Sequence, residues 1–518
     1  MAHDHARPPF EPLRPFDEHN RALEAALHPT EWRDPAPKER YDLVVLGGGT
    51  AGLVTAAGAA GLGARVALVE RELLGGDCLV TGCVPSKALI RAARAAYEAR
   101  TAARFGVQTG PVGVDFAALM EHVRRERALI APHDSAARFR SLGIDVFLGH
   151  GAFTGPDTLT VNGATLRFKR ACIATGSSAA VPPIPGLEEL VAQARTGAGH
   201  VLTHTGIFSL TTLPQRLAVL GGGPIGAELA QAFARFGSAV TLVERGPRLL
   251  GKDHPDAGAI VQRALERDGV SVRTGASVTG IEARAGSGAY GLILDGGAER
   301  VEADAVLVSA GRRPRVEGLG LEAAGVASDA ARGITVDDRL RTSNPRIFAA
   351  GDCASRFQFT HMADALARIV IRNALFFGRA RASDLVVPWV TYTDPEVAAT
   401  GLSLADARAA GHDDARSTRV ELESVDRARL DGEPEGFLEV VHTKRGRVLG
   451  GTLVGAHAGE SISELTLAIT QRASLGALAG VIHPYPTVAE VFRKAGDGFN
   501  RTRLTPFTAK VLRWLARR

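Results

Sequence analysis

Residues 41–70 read YDLVVLGGGTAGLVTAAGAAGLGARVALVE. The apolar run at the start predicts a buried strand, and GGGTAG a tight turn. The Ala-rich stretch predicts a helix with small residues facing inward, and ARVALVE a second strand. The pattern recurs at 217–244, LAVLGGGPIGAELAQAFARFGSAVTLVE. In both copies the first glycine, Gly47 or Gly221, stands 23 residues before the closing glutamate, Glu70 or Glu244. Both copies share VLGGG, a glycine before the second strand (Gly63, Gly237) and LVER at the end. One glycine-rich turn is weak evidence. A duplicated βαβ unit with both glutamates in place implies two separate dinucleotide-binding domains.

The glycines divide the work. Gly47 and Gly221 permit the tight turn, and Gly49 and Gly223 let the backbone approach a pyrophosphate. Gly52 and Gly226 allow close helix–strand packing. The following helix offers N–H groups and a positive dipole end to phosphates. Glu70 and Glu244 are placed to accept hydrogen bonds from a ribose. At the second site a carboxylate favours a free 2′-hydroxyl, hence NADH, whereas Arg245 and Arg248 leave NADPH open.

Bulk composition narrows the class. The chain has 518 residues, 45% hydrophobic and 23% charged, as expected of a globular protein with two to four domains. A net charge of +5 without a long basic block, and only 5% aromatic residues, argue against a nucleic-acid partner. No apolar segment is long enough to span a bilayer, and no secretory h-region opens the chain, so a cytoplasmic location is expected. Four cysteines do not make a disulfide framework in a chain of this size.

The expected organisation is α/β, with two Rossmann-like domains and a C-terminal α+β domain. Residues 1–39 form an N-terminal extension, rich in Pro, His and charge, with one amphipathic stretch near DEHNRALEAAL. The two glycine fingerprints fall in 40–200 and 201–314, and a further strand-like run, NPRIFAAGDC, follows in 315–385. An α+β domain with an antiparallel sheet is expected at 386–500 and a basic amphipathic tail at 501–518. The tail reads as a helix packed on the dimer, with membrane-surface contact as the alternative.

Downstream of the first fingerprint lies GGDCLVTGCVPSKALIRAAR, with Cys78 and Cys83 spaced to close a small disulfide ring. The residues after Cys83 place the pair at a helix start, where the dipole would stabilise a thiolate and lower its pKa. Two inert buried thiols are the bland alternative. A metal site would need further Cys or His at ligand spacing, and none is present. Cys172 and Cys353 read as packing residues.

GGDCLVTGCVPSK closely resembles the active-site segment of the flavin-dependent pyridine nucleotide–disulfide oxidoreductases, which include lipoamide dehydrogenase, glutathione reductase and mercuric reductase. The resemblance runs over about residues 40–500 and implies an FAD-binding domain in two parts, 40–200 and 315–385, around an NAD(P)H-binding domain at 201–314, with a dimerisation domain at 386–500. IATGS (with Thr175 and Gly176) and IFAAGD (with Gly351 and Asp352) resemble the family's further flavin contacts. GHGAF around Gly151 resembles its adenine-side loop, and SAGRRP with Gly311 its nicotinamide-side loop. The resemblance implies that hydride passes from the nicotinamide to FAD and then to a Cys78–Cys83 disulfide. Cys83 would lie against the flavin, and Cys78 would exchange with substrate. Lys87 would stand near the flavin N5, paired with Glu228.

One departure bears on the acceptor. Disulfide reductases of this family carry a His-Pro five residues before a glutamate, as general acid/base for the outer thiol. In IHPYPTVAE the residue five before Glu490 is Tyr485, a phenol with a reference pKa of about 10. His483 lies two residues early and could replace it. A tyrosine there is a feature of mercuric reductases, yet the C-terminal cysteine pair and the N-terminal CxxC domain of those enzymes are absent. The resemblance implies a homodimer in which Tyr485 and Glu490 face the partner subunit's Cys78. The expected acceptor is a disulfide, a thiol-bound metal ion or a similar electrophile. The alternatives are lipoamide dehydrogenase, a reductase passing electrons from flavin directly to quinones, and a redox sensor with negligible turnover.

Overall fold

The computed structural model describes residues 12–284 and 288–518, so the first eleven residues of the extension lie outside it. The described part of the extension is built around a helix, α1 (Glu18–Leu27). The Asp17 carboxylate caps it by accepting from the Asn20 N–H at 2.9 Å. Asn20, Leu23 and Leu27 are fully buried. The amphipathic stretch is therefore a docked element.

The first fingerprint folds as β1 (Tyr41–Leu46), α2 (Thr50–Gly61) and β2 (Val66–Glu70). After it come α3 (Gly76–Val80), α4 (Cys83–Thr101) and α5 (Phe116–Ile130). The strands β3 (Asp145–Leu148), β4 (Gly151–Gly155), β5 (Thr158–Val161) and β6 (Ala164–Ile173) complete the first sheet in the order β3-β2-β1-β6-β5-β4. β1 is parallel to β2 and β6, with Leu46 opposite Val69 and Ile173. The other half of β6 pairs antiparallel with β5. Leu43, Val45, Val66 and Leu68 are wholly buried, each contributing about 2 kcal/mol of hydrophobic stabilisation.

The second fingerprint supplies β7 (Arg216–Leu220), α6 (Pro224–Phe236) and β8 (Ala239–Glu244). β7 is parallel to β8 on one side and to β9 (Ala305–Val308) on the other. The chain then returns to the first sheet: β10 (Ile347–Ala349) pairs parallel with β6, and α7 (Thr360–Leu375) packs on α2.

The chain forms two compact units. One contains the chain up to Gly221 with Ala232–Val243 and Ser277–Leu385; the other contains Gly222–Gln231, Glu244–Ala276 and Val386–Arg518. In the second unit, β11 (Pro388–Thr391), β12 (Glu396–Gly401), β13 (Arg416–Glu421), β14 (Phe437–His442) and β15 (Val448–Gly455) make an antiparallel sheet. Its order is β11-β12-β15-β14-β13. α8 (Ala458–Thr470) covers it, followed by α9 (Glu490–Thr502) and α10 (Pro506–Leu515). α10 buries none of its residues against the rest of the chain. No described helix is long and apolar enough to cross a membrane.

Candidate active site

The two fingerprints share one geometry. Gly47 has φ +110° and Gly221 φ +109°, and the N–H of each donates at 2.8 Å to a carbonyl of the adjacent strand, Val69 or Val243. A Cβ on Gly47 would stand 2.3 Å from the Ala174 carbonyl oxygen, and one on Gly221 2.6 Å from that of Ser309. Glu70 accepts from the N–H groups of Gly48 (2.5 Å) and Glu72 (2.6 Å). Glu244 accepts from Gly222 (2.7 Å) and Gly246 (2.5 Å) in the same way. Each glutamate thus braces its own glycine turn. Burial raises the Glu70 pKa, against the two amides that stabilise its charge. Around Gly49 and Gly223 the backbone is open: an added Cβ would meet nothing closer than 3.9 Å at Gly49 and nothing within 4 Å at Gly223. Gly52 and Gly226 follow on α2 and α6. These cradles fit two dinucleotides.

The cysteines depart from the expected single helix start. Cys78 is the third residue of α3, and only Cys83 opens a long helix, α4. The helix terminus therefore favours a thiolate at Cys83. The Cys78 thiol moves the other way, pushed up first by its hydrogen bond with Cys83 and then by burial. Two adjacent sulfurs at one site do not both carry charge, so the thiolate expected at a helix start falls to Cys83 rather than Cys78. All four cysteines are free thiols here. The Thr360 hydroxyl, on the first residue of α7, lies 3.3 Å from Cys83 Sγ and also eases ionisation of Cys78. Nothing in the local sequence pairs Thr360 with the thiols, because 277 residues separate it from Cys83. Cys172 and Cys353 are fully buried, and burial pushes Cys353 up to about 11.

A polar ring links the remaining motifs of this unit. The Ser177 hydroxyl donates to Asp352 at 2.6 Å and accepts from Arg312 Nε at 2.7 Å. Arg312 also pairs with Asp77, the residue before Cys78, which faces His204 Nε2 at 3.3 Å. Burial opposes the Asp77 charge, but His204 and Arg312 outweigh it and hold the carboxyl well below the usual range. Thr175 donates to the Arg315 carbonyl at 2.7 Å, and the Arg315 N–H bonds the Gly176 carbonyl at 3.0 Å. Gly311 accepts from the Ala180 N–H at 2.9 Å, and Gly351 takes φ +81° beside Ala51 of α2. Gly151 packs on Leu46 and Val69 at the start of β4. His204 escaped the sequence reading, as did the bond that joins Ser177 of IATGS to Arg312 of SAGRRP, because these pairings span more than a hundred residues.

Residues 41–367 match the family described as pyridine nucleotide-disulphide oxidoreductase, and residues 387–496 match its dimerisation domain. The chain belongs to this family. Its relatives include the mercuric reductase of Staphylococcus aureus, 34% identical over 462 residues, covering 89% of this chain and 83% of that one. The dihydrolipoyl dehydrogenase of Thermus scotoductus is 35% identical, with 89% and 98% covered. Among solved structures, the Cu(II) complex of the HOCl-induced flavoprotein disulfide reductase RclA from Escherichia coli aligns with TM-score 0.74. It is 28% identical and covers 87% of this chain and 98% of that one. The chain is thus an FAD- and NAD(P)H-dependent oxidoreductase with a dimerisation domain.

In this oxidoreductase Lys87 is half-buried on α4, in the first unit. Glu228 is buried in the second, where it accepts from the Tyr392 N–H at 2.8 Å. In the dimerisation domain Tyr485 is 71% exposed, and its hydroxyl donates to Asp426 at 2.9 Å. That bond, with the Asp426 charge, raises the phenol pKa. Glu490 is not the surface residue it could have been. It is buried at the first position of α9, with one carboxylate oxygen paired to Arg493 and the other without a hydrogen-bond partner among the described residues. His483 is held by the Glu464 carboxylate at 3.0 Å and by the Val481 carbonyl at 3.1 Å.

Proposed function

We propose that this oxidoreductase takes electrons from NADH and reduces a disulfide or thiol-bound metal ion through Cys78 and Cys83. The observation that carries the reading is the thiol pair itself: two sulfurs in mutual hydrogen-bond contact, with the Thr360 hydroxyl beside them. Bound FAD would supply two-electron transfer between nicotinamide and sulfur. The turn at Gly47, the open backbone at Gly49, and the Glu70 and Asp352 carboxylates are the groups that would hold it. Cys83 is exposed at the head of α4, as a sulfur facing such a ring requires. Lys87, one turn along α4, would place positive charge there.

With the pair reduced, the Cys78 sulfur attacks a substrate disulfide and expels one thiolate, leaving a mixed disulfide. Cys83 then attacks the Cys78 sulfur, releases the second thiol and restores the Cys78–Cys83 bond. We assign the proton in that exchange to Tyr485, with Glu490 behind it, acting on the partner subunit's Cys78. A phenol whose pKa is raised is a poor base near neutral pH, which favours a thiol-bound metal ion over a disulfide as acceptor. The names of its relatives, mercuric reductase and a Cu(II) complex of RclA, support that class. Arg248 donates to the carbonyls of Asp253 (2.9 Å) and Gly251 (2.8 Å), which ties it to its own loop and supports NADH over NADPH. A close cysteine pair that is catalytic rather than structural suits the reducing cytoplasm.

Anaerobic titration with NADH should produce a long-wavelength thiolate–flavin absorption band that vanishes in Cys83→Ser. Survival of the band in that variant, or its absence in the wild type, overturns the assignment. Steady-state turnover with lipoamide, glutathione disulfide, Hg(II), Cu(II) and quinones, with each nicotinamide, then identifies the acceptor class. Full quinone turnover in Cys78→Ser would show that electrons bypass the thiols.

A further inference from the structure

We propose that the N-terminal extension is a clamp on the redox helix α3, acting through Arg127 as a positioning residue. The inference rests on the reading that Cys78 and Cys83 carry the electrons. Arg127 lies on α5 and is 3% exposed. Its Nη1 donates at 2.8 Å to the carbonyl of Val80, which lies between the two cysteines and ends α3. Its Nη2 donates at 2.9 Å to Oδ1 of Asn20, a fully buried residue of α1. Asn20 is fixed in turn, because its Nδ2 donates to the Pro15 carbonyl at 2.7 Å. The carboxylate of the extension, Asp17, goes instead to Arg124 at 2.5 Å.

A buried guanidinium held by one carbonyl and one amide, with no carboxylate bonded to it among the described residues, is an expensive arrangement. Burial pushes Arg127 down to about 10. Its Nε has no partner among the described residues. What the arrangement yields is geometry: the planar fork fixes Val80 relative to α1 and α5, and so fixes the turn that sets one sulfur against the other. The same strap continues along the unit. His28 bonds the Glu72 carbonyl, and the Glu72 N–H braces Glu70. Asp34 accepts from the Leu148 N–H at 3.0 Å and from Asn162 at 2.8 Å.

Without the Asn20 acceptor the α3 turn gains freedom, and one sulfur meets the other less often. Equilibrated in thiol–disulfide buffers and read by alkylation and mass, Asn20→Leu should form the Cys78–Cys83 disulfide about ten-fold less favourably than wild type. Asn20→Asp, which keeps the acceptor for Arg127 although it loses the bond to Pro15, should stay within about two-fold. An Asn20→Leu protein that folds and matches wild type to that same margin overturns the clamp. If that variant does not fold, Asn20→Ala decides by the same limits. A wild type with no reversible Cys78–Cys83 couple would overturn the underlying reading and the clamp together, whereas a reversible couple indifferent to Asn20 overturns the clamp alone.

A separate observation concerns α10. From Arg501 to Arg518 every residue is exposed except the half-buried Ala509. At about 100° per residue, Phe507, Val511, Leu512, Trp514 and Leu515 share one face, and Lys510, Arg513 and Arg517 lie opposite. Residues 498–518 hold six Lys or Arg and no Asp or Glu. The match to the dimerisation domain ends at residue 496, before this helix. We infer that α10 lies on an anionic lipid surface, its apolar face in the acyl boundary and its cations at the headgroups. The charge complementarity is that of a surface rich in phosphate.

The full-length protein should co-float with phosphatidylglycerol-containing vesicles about ten-fold better than with pure phosphatidylcholine vesicles, and less in high salt. Trp514→Asp should abolish flotation while leaving the dimer intact. Wild type that does not float, or binds both vesicles equally, overturns the inference. So does a Trp514→Asp protein that becomes monomeric, which would place the helix between two copies.

Discussion

At the scale of single residues, the least predictable participant is Thr360. The sequence supplies the two sulfurs, but the hydroxyl beside them arrives from the far end of the flavin unit. A hydrogen bond to a charged group is worth about 1.5–3 kcal/mol. Thr360→Val should therefore slow iodoacetamide alkylation of the reduced pair at about pH 7 by about ten-fold, because less thiolate is present, without lowering the melting temperature by more than a few degrees. Glu244 offers a second residue-scale test. Both of its oxygens already accept backbone N–H groups. If Glu244 also holds the ribose of NADH, as we propose, Glu244→Ala should raise KM for NADH about ten-fold and change kcat little, since such a contact is made equally in the ground and transition states.

At the scale of elements, the glycine turn and the N-terminal strap make different demands. A Cβ on Gly52 would stand 1.7 Å from the Gly47 carbonyl oxygen, which no side-chain rearrangement relieves. Gly52→Ala should yield protein without bound flavin, as loss of the visible flavin absorbance would show. The strap depends on charge. Burial works against the Asp17 carboxylate, but the Asn20 N–H and Arg124 outweigh it and hold its pKa below the ordinary value. Its stabilisation is therefore complete above the unfolded carboxylate value of about 3.9 and is lost as pH falls through the lower folded value. Hydrogen exchange in residues 14–28 should stay slow at about pH 5 and accelerate only below about pH 4. Fast exchange at the higher pH would show that another group holds the strap.

At the scale of the whole molecule, the dimerisation domain makes a composite site testable. If Tyr485 serves the partner subunit's Cys78, hybrids of a Cys78→Ser chain with a Tyr485→Phe chain contain one intact site each. Mixed dimers should then recover about half of wild-type turnover per dimer, although each parent homodimer is impaired. Hybrids no more active than the parents would place thiol and phenol on the same chain, or remove Tyr485 from the reaction.

The two βαβ units were legible in the chain alone, because glycine spacing, buried strand runs and closing glutamates are local properties that a short window holds. The thiol pair and the phenol at Tyr485 were legible too, since both are matters of chemical identity and count. How the sulfurs differ emerged only from packing. Cys78 sits inside a short helix and Cys83 at the head of a long one, a distinction that the helix-like pattern after Cys83 concealed. The burial of Glu490 and the reach of Asn20 to Arg127 belong to the same class. Burial and hydrogen-bond partnership are relations between distant segments, and a chain expresses them only once its sheets and helices have packed.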